Sequence, residues 1–249
     1  MAGKGSRFSK EGFTIPKPFL MVNDDFMVQK AVDCLPNTSK TIFGCQREHE
    51  DYVDFDKVVW FDEVLPGQAC STEQLLSEID NESFIVTACD NGVFYDADKF
   101  MELVNDESND IIVWTYRNNH TSQLQPNAYS WVNCDEDGNV SSVDVKNFKG
   151  TNPVEEFAIT GTMFFRSREI FAQTLSSLYD HDVRTNGEFY VDSMLNEAIN
   201  MGFKVKNFEI DNYICWGTPN DLKTYQYWQR FFNKVDWHDY CYAEDYFTK

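Results

Sequence analysis

At 249 residues, with 42% hydrophobic and 16% aromatic side chains, the chain can bury one sizeable core, and it contains no linker or low-complexity tract. Its 41 acidic and 21 basic side chains give a formal net charge of −20, which repels a polyphosphate backbone and argues against nucleic acid as a partner. A nucleoside triphosphate would need its few cations gathered locally, with a metal ion to offset the acid.

The predicted elements run as follows. Helical spacing of apolar residues marks 27–35, and Val-, Ile-, Phe- and Trp-rich runs mark strands at 41–44 and 58–62. A helix at 72–79, a strand at 84–88, a helix at 98–104 and a strand at 111–116 continue the alternation. Residues 1–117 therefore read as a Rossmann-like nucleotide-binding layer, an α/β fold. Beyond it, runs at 129–134 and 140–146 flank Asp135-Glu-Asp-Gly-Asn139, a β-hairpin inserted in the second half. An apolar segment at 157–165 follows, then helices at 168–178 and 190–201, a strand at 204–210 and a final helix at 220–232. The expectation is a single domain with a mixed sheet flanked by helices, its second half (118–232) arranged around an acceptor. The segment 233–249, with Trp237, Tyr240, Tyr242, Tyr246 and Phe247, is too aromatic for a solvated tail; it is a candidate interface between copies.

The seven cysteines (Cys34, Cys45, Cys70, Cys89, Cys134, Cys215 and Cys241) are odd in number, scattered and never spaced C-x-x-C. That disfavours a zinc site or disulfide framework and fits a reducing cytoplasm. No apolar run approaches the ~18 residues of a membrane span, and the start lacks the apolar region of a signal peptide. No membrane partner is expected. The four histidines form no pattern and receive no role.

The start, Met1-Ala-Gly-Lys-Gly-Ser-Arg-Phe8, leads to Pro16-Lys-Pro18. Glycines let a backbone approach an anion and present N–H groups to it. Arg7 offers a planar fork for phosphate oxygens, and Lys17 is a point charge that the flanking prolines hold in place. Taken singly, either cation also reads as a solvated loop charge; together, Gly3-x-Gly5-x-Arg7 and Pro-Lys-Pro resemble the signature of sugar-1-phosphate nucleotidyltransferases, the sugar-nucleotide pyrophosphorylases, shared by bacterial choline-phosphate cytidylyltransferases. The resemblance spans Gly3 to about Phe232 and is nearest to bacterial surface-polysaccharide members. It implies the nucleotide-diphospho-sugar transferase type of fold, with Ala2, Gly3, Gly5, Arg7 and Lys17 around the triphosphate and Arg7 and Lys17 as the catalytic cations. Relatives carry a strand of about five apolar residues before this loop. The sequence opens at Met1, so either its start has been assigned too late, which is the expectation favoured, or the fold tolerates the loss of a central strand at some cost in stability.

Asp90 follows the apolar run Phe84-Ile-Val-Thr-Ala-Cys, where α/β sheets present ligand-binding residues, and it resembles the family's Mg²⁺-binding Asp. A capping Asp is the plainer alternative. The second metal acid expected just before Gly217-Thr218 is Cys215 here, and Asp211 lies close by as a substitute. Gly67 and Gln68 resemble the segment beside the nucleobase. On the acceptor side, Lys146 matches a family Lys, although Val145 stands where Glu is expected. Gly161 resembles the small residue beneath the sugar, and Glu188 the acid that contacts sugar hydroxyls.

The implied reaction moves a nucleoside monophosphate from the triphosphate to a sugar 1-phosphate or similar phosphomonoester, such as phosphocholine, and releases pyrophosphate. Two rivals stand beside it. Asp96-Ala-Asp98 fits the Asp-x-Asp of a glycosyltransferase, although a helix starting near Asp98 calls for acidic capping at the same place. Cys215, Val145 and the missing first strand suit a catalytically silent nucleotide-binding relative.

Overall fold

Glycine and proline near the start keep the first elements short. They are α1 (Ser6–Lys10), the two-residue strands β1 (Met21–Val22) and β2 (Asp25–Phe26), and α2 (Met27–Asp33). The computed structural model describes residues 1–249 except 2, 4, 81, 82, 236, 238–240 and 242–249. Ala2 and the aromatic residues Tyr240, Tyr242, Tyr246 and Phe247 therefore lie outside the described residues. Next come β3 (Phe43–Gln46), β4 (Val58–Phe61), α3 (Gln68–Leu75), β5 (Phe84–Val86), β6 (Asn91–Phe94), α4 (Ala97–Asn105) and β7 (Ile111–Tyr116). After α5 (His120–Leu124) the chain forms β8 (Trp131–Cys134), β9 (Val140–Asp144), β10 (Phe157–Phe165), α6 (Arg168–Asp180) and α7 (Val191–Asn200). It continues through β11 (Val205–Glu209) and β12 (Asn212–Cys215) to α8 (Pro219–Lys234). The fold class is the expected one, a mixed α/β sheet flanked by helices. Each predicted strand and helix has a counterpart within a few residues, whereas α1, α5, β1, β2, β6 and β12 were not anticipated. None of these six exceeds five residues, too short for periodicity to register.

The chain forms two compact units from interleaved segments. The larger comprises Met1–Lys4, Pro36–Ala88 and Tyr95–Asn212; the smaller comprises Gly5–Leu35, Cys89–Phe94 and Tyr213–Lys249.

In the larger unit a six-stranded sheet runs β11-β7-β10-β8-β9, with β5 also paired to β10. β7 and β11 are parallel and the other pairs antiparallel. All six residues of β7 are buried. Ile111 and Val113 join the core formed with Phe171, Leu175, Met194 and Leu195 of α6 and α7. The other face carries Trp114, whose ring centroid lies 4.5, 4.8 and 5.2 Å from those of Tyr95, Phe100 and Phe208. A strand covered on both faces needs apolar residues at every position, which Ile-Ile-Val-Trp-Thr-Tyr supplies with one exception. The exception, Thr115, donates its hydroxyl to Asn207 Oδ1 at 2.6 Å on β11. Each large side chain buried there contributes about 1.5–3 kcal/mol.

β10 is long enough to pair with three strands. Phe157 and Ala158 pair with β8 and Met163–Phe165 with β5, while its register against β7 shifts between Ile159 and Met163. Gly161 sits in that bulge at φ +92°, a backbone state that favours glycine. The predicted hairpin is β8–β9, its turn closed by Asn139 N–H donating to Asp135 Oδ1 at 2.8 Å. β3 and β4 form a separate parallel pair, with Phe43 opposite Val58.

The smaller unit packs Phe8, Leu20, Val22, Met27, Ala31, Trp216 and Leu222 into its own core. β6 pairs with β12 and β1 with β2. Tyr225 on α8 donates to Asn23 Oδ1 at 2.9 Å, which ties the helix to the β1–β2 turn. No described helix is long and apolar enough to cross a membrane.

Candidate active site

The smaller unit brings together Gly5, Lys17, Asp90, Cys215 and Gly217. Gly5 adopts the left-handed state (φ 56°) at the start of α1, and a β-carbon there would approach Lys17 Cβ to 3.3 Å. Pro16 and Pro18 bracket a turn in which Phe19 N–H donates to Pro16 O at 2.9 Å; Pro18 and Phe19 are buried. Lys17 thus lies in a turn bracketed by the two prolines. Its ammonium is directed at Asp90, donating to Oδ2 as a short ion pair, and lies 5.8 Å from the centroid of the buried Phe8 ring. Burial works to lower the Lys17 pKa, but Asp90 and the neighbouring Cys89 and Cys215 outweigh it and hold the group above its ordinary value.

Asp90 is fixed through its backbone as well, its carbonyl accepting from Trp216 N–H at 2.9 Å. Gly217 follows, and a β-carbon there would stand 3.1 Å from Asp90 Oδ2 and 3.4 Å from Cys215 Sγ. The Cys215 thiol accepts from Gly217 N–H at 3.4 Å and donates to Asp221 Oδ2 at 3.5 Å. Asp221 belongs to the cap of α8: Thr218 Oγ1 accepts from Asp221 N–H at 3.2 Å and donates to Asp221 Oδ2 at 2.5 Å. Arg7, in α1, is exposed and forms no ion pair among the described residues. Gly3 belongs to the larger unit, and a β-carbon there would meet nothing within 4 Å.

These residues do not by themselves compose a seat for Mg²⁺. One Asp90 oxygen already takes an ammonium, the adjacent side chain is a sulfur group bonded to Asp221, and hard cations seek several oxygens. Among the described residues no three His, Cys, Asp or Glu side chains gather as an ion site. Asp211 belongs to the larger unit and is exposed.

The larger unit gathers Gly67, Gln68, Lys146, Glu188 and Tyr190. Gly67 (φ 132°) is buried against Phe189, where a β-carbon would fall 2.3 Å from its carbonyl oxygen. Ala69 N–H donates to Phe189 O at 3.0 Å and Phe189 N–H to Pro66 O at 2.9 Å, so Gln68 starts α3 close to residue 188. Glu188 closes a turn in which Thr185 and Glu188 exchange backbone hydrogen bonds at 2.9 and 3.0 Å; its side chain is exposed. Lys146, itself left-handed (φ 50°), donates to Ala128 O at 2.6 Å and lies 5.5 Å from the Tyr190 ring centroid. Gly161 accepts at its carbonyl from Ala88 N–H at 3.1 Å, and a β-carbon there would crowd Ala88 Cβ at 3.1 Å.

One arrangement has no counterpart in the sequence analysis, and one follows its capping alternative. Asp192, in the first turn of α7, is buried and accepts from Ser130 Oγ at 2.5 Å. Its only sequence signal is an acid at a helix start. Asp96, half of the Asp-x-Asp pattern, caps α4 by accepting from Asp98 and Lys99 N–H at 3.1 and 3.2 Å.

No protein-family model and no curated protein matches the chain. Among solved structures, it is similar to a nucleoside-diphosphate-sugar pyrophosphorylase from Vibrio cholerae RC9, at TM-score 0.69 and 18% identity over 90% of this chain and 97% of that one. An inositol-1-phosphate CTP transferase from T. maritima superposes at TM-score 0.67 and 18% identity, covering 94% and 95% of the two chains. A UDP-glucose pyrophosphorylase complexed with UDP-glucose gives TM-score 0.67 and 15% identity, covering 94% and 97%. The chain therefore has the fold of these structures, a Rossmann-like mixed α/β sheet flanked by helices.

Proposed function

We propose that the chain is a nucleotidyltransferase that moves a nucleoside monophosphate from a triphosphate to a sugar 1-phosphate or similar phosphomonoester, releasing pyrophosphate. The observation that carries this reading is Lys17, held between prolines beside Gly5 with its ammonium aimed at Asp90. The acceptor phosphate is anionic at neutral pH and needs no protein base. This chain's contribution is to position the triphosphate for in-line attack and to neutralise charge on the departing pyrophosphate. Lys17 and Arg7 supply cations, and the loop from Ala2 through Gly5 supplies N–H groups. Mg²⁺ is read as part of the substrate, the metal–triphosphate complex.

Gln68 is assigned to the nucleobase, and Lys146, Gly161 and Glu188 to the acceptor. Val145 in place of an acid leaves room for an acceptor with fewer hydroxyls than a hexose, phosphocholine included. The setting proposed is the cytoplasmic synthesis of a surface-polysaccharide precursor, with homo-oligomerisation through the aromatic carboxyl-terminal segment.

The test is a pyrophosphate-release screen crossing CTP, UTP, dTTP, GTP and ATP with sugar 1-phosphates and small phosphomonoesters in the presence of Mg²⁺. Release that depends on one base and one acceptor supports the proposal. Silence across the whole grid refutes it, and consumption of a nucleotide sugar without pyrophosphate indicates glycosyl transfer.

A further inference from the structure

In a chain of net charge −20, a half-buried lysine against a half-buried aspartate is an economical way to keep a carboxylate neutralised. The Lys17 and Asp90 side chains are only 19% and 26% exposed, so solvent screens the pair weakly. A divalent cation arriving at Asp90 would have to displace the ammonium or share the carboxylate with it. Its next neighbour offers little in return: Cys215 is engaged between Gly217 N–H and Asp221, and sulfur is a poor ligand for a hard cation. Asp221 is itself occupied by Thr218 and Cys215 in the cap of α8.

We infer that Lys17 is the resident counter-ion of Asp90 and closes this carboxylate to a divalent cation until a polyanion draws the ammonium away. The first half stands on the geometry alone, and the release step rests on the proposed triphosphate reading. Binding is thereby ordered. The metal is accepted with the nucleotide rather than ahead of it, and free intracellular cations do not fill the site in the substrate's absence.

The experiment is an Mn²⁺ titration of the full chain, following the electron paramagnetic resonance signal of free aqueous Mn²⁺. The variants are Lys17→Met and Lys17→Met/Asp90→Asn, with far-ultraviolet circular dichroism melts to establish folding. The unmodified protein is expected to show no saturable Asp90-dependent site up to millimolar Mn²⁺. Lys17→Met is expected to bind about ten- to a thousand-fold more tightly, taking as the scale the range in which one neighbouring cation alters a carboxylate's proton affinity. The double variant should lose that gain. Tight Mn²⁺ binding by the unmodified protein that Asp90→Asn abolishes overturns the inference, as does a folded Lys17→Met that binds no better. If Lys17→Met fails to fold, Lys17→Gln takes its place.

A second arm adds inorganic tripolyphosphate, whose own binding is followed by ³¹P NMR. Asp90-dependent Mn²⁺ uptake by the unmodified protein in its presence supports release of Lys17. Tripolyphosphate that binds without such uptake overturns the release step. If tripolyphosphate does not bind at all, the triphosphate reading fails instead, and the Mn²⁺ titration still decides the role of Lys17.

Discussion

The backbone N–H of Trp216 donates to the carbonyl of Asp90 at 2.9 Å, and the next residue, Gly217, lies against the Asp90 carboxylate. Lys17 closes the same group from its proline-bracketed turn. Asp90 is thus held at backbone and side chain alike.

Lys17→Ala and Asp90→Asn are expected to lower pyrophosphate release by roughly 10²-fold or more, the scale of losing one preorganised charge-stabilising group. The measurement is steady-state turnover with the best substrate pair from the screen. Wild-type turnover by either variant would remove these residues from the proposed site.

Gly217→Ala tests the spacing. The added methyl would sit 3.1 Å from Asp90 Oδ2, so the carboxylate must yield by a few tenths of an ångström. A shift of that size should cost about tenfold in turnover, less than the ~10²-fold attached to a full ångström of misplacement. Thermal stability should change little, and a variant with unchanged turnover would show that the carboxylate's exact position is immaterial.

Gly67→Ala should act on stability. Its β-carbon would fall 2.3 Å from Phe189 O and 2.5 Å from Phe189 N, both backbone atoms, at a φ of 132° that side chains rarely adopt. A loss of about 3 kcal/mol or more is expected, since strain and overpacking act together. Urea denaturation measures it; a variant within about 1 kcal/mol of the parent would contradict this packing.

Arg166 donates to three carbonyls, Val104 at 2.6 Å, Asp106 at 2.9 Å and Asn109 at 3.0 Å, and so collects the end of α4 and the loop after it. Lysine cannot reproduce this planar fork. Arg166→Lys is expected to destabilise by about 1–3 kcal/mol through acceptors left unpaired, read from the denaturation midpoint.

Glu197 gives the acid side of the stability profile. Burial tends to raise its pKa, but Ser177 Oγ at 2.6 Å and His181 Nδ1 at 2.9 Å outweigh this and hold it below its ordinary value. A carboxyl with a depressed folded-state pKa stabilises above its unfolded value and loses that contribution as pH falls through the folded one. Glu197→Gln should therefore flatten the decline in stability below about pH 4.5, while above it the variant is less stable than the parent. Parallel pH profiles for the two proteins would count against the assignment.

Much of the fold was legible because its signals are local. The run Ile-Ile-Val-Trp-Thr-Tyr declares a strand buried on both faces, and Asp135-Glu-Asp-Gly-Asn139 declares a hairpin turn. Pro16-Lys-Pro18 announces a fixed lysine, and the acid after a strand drew attention to Asp90. Less visible were β6 and β12, four residues each, which owe their extended form to pairing with one another.

By itself, then, the sequence determined the α/β class and the order of the longer elements, and it marked out candidates for a phosphate ligand, since propensity, turn chemistry and periodicity act over a few residues. Tertiary structure alone decided what those residues meet. Lys17 and Asp90 are 73 positions apart, and their pairing depends on how the proline turn and the β6–β12 pair pack in the smaller unit. Gly67 looked like a residue beside a base, yet packing presses it against the backbone of Phe189. Cys215 looked like a missing acid; folding makes it a thiol held between Gly217 and Asp221. Such partners are set by register and packing over long separations, which no local pattern of residues encodes.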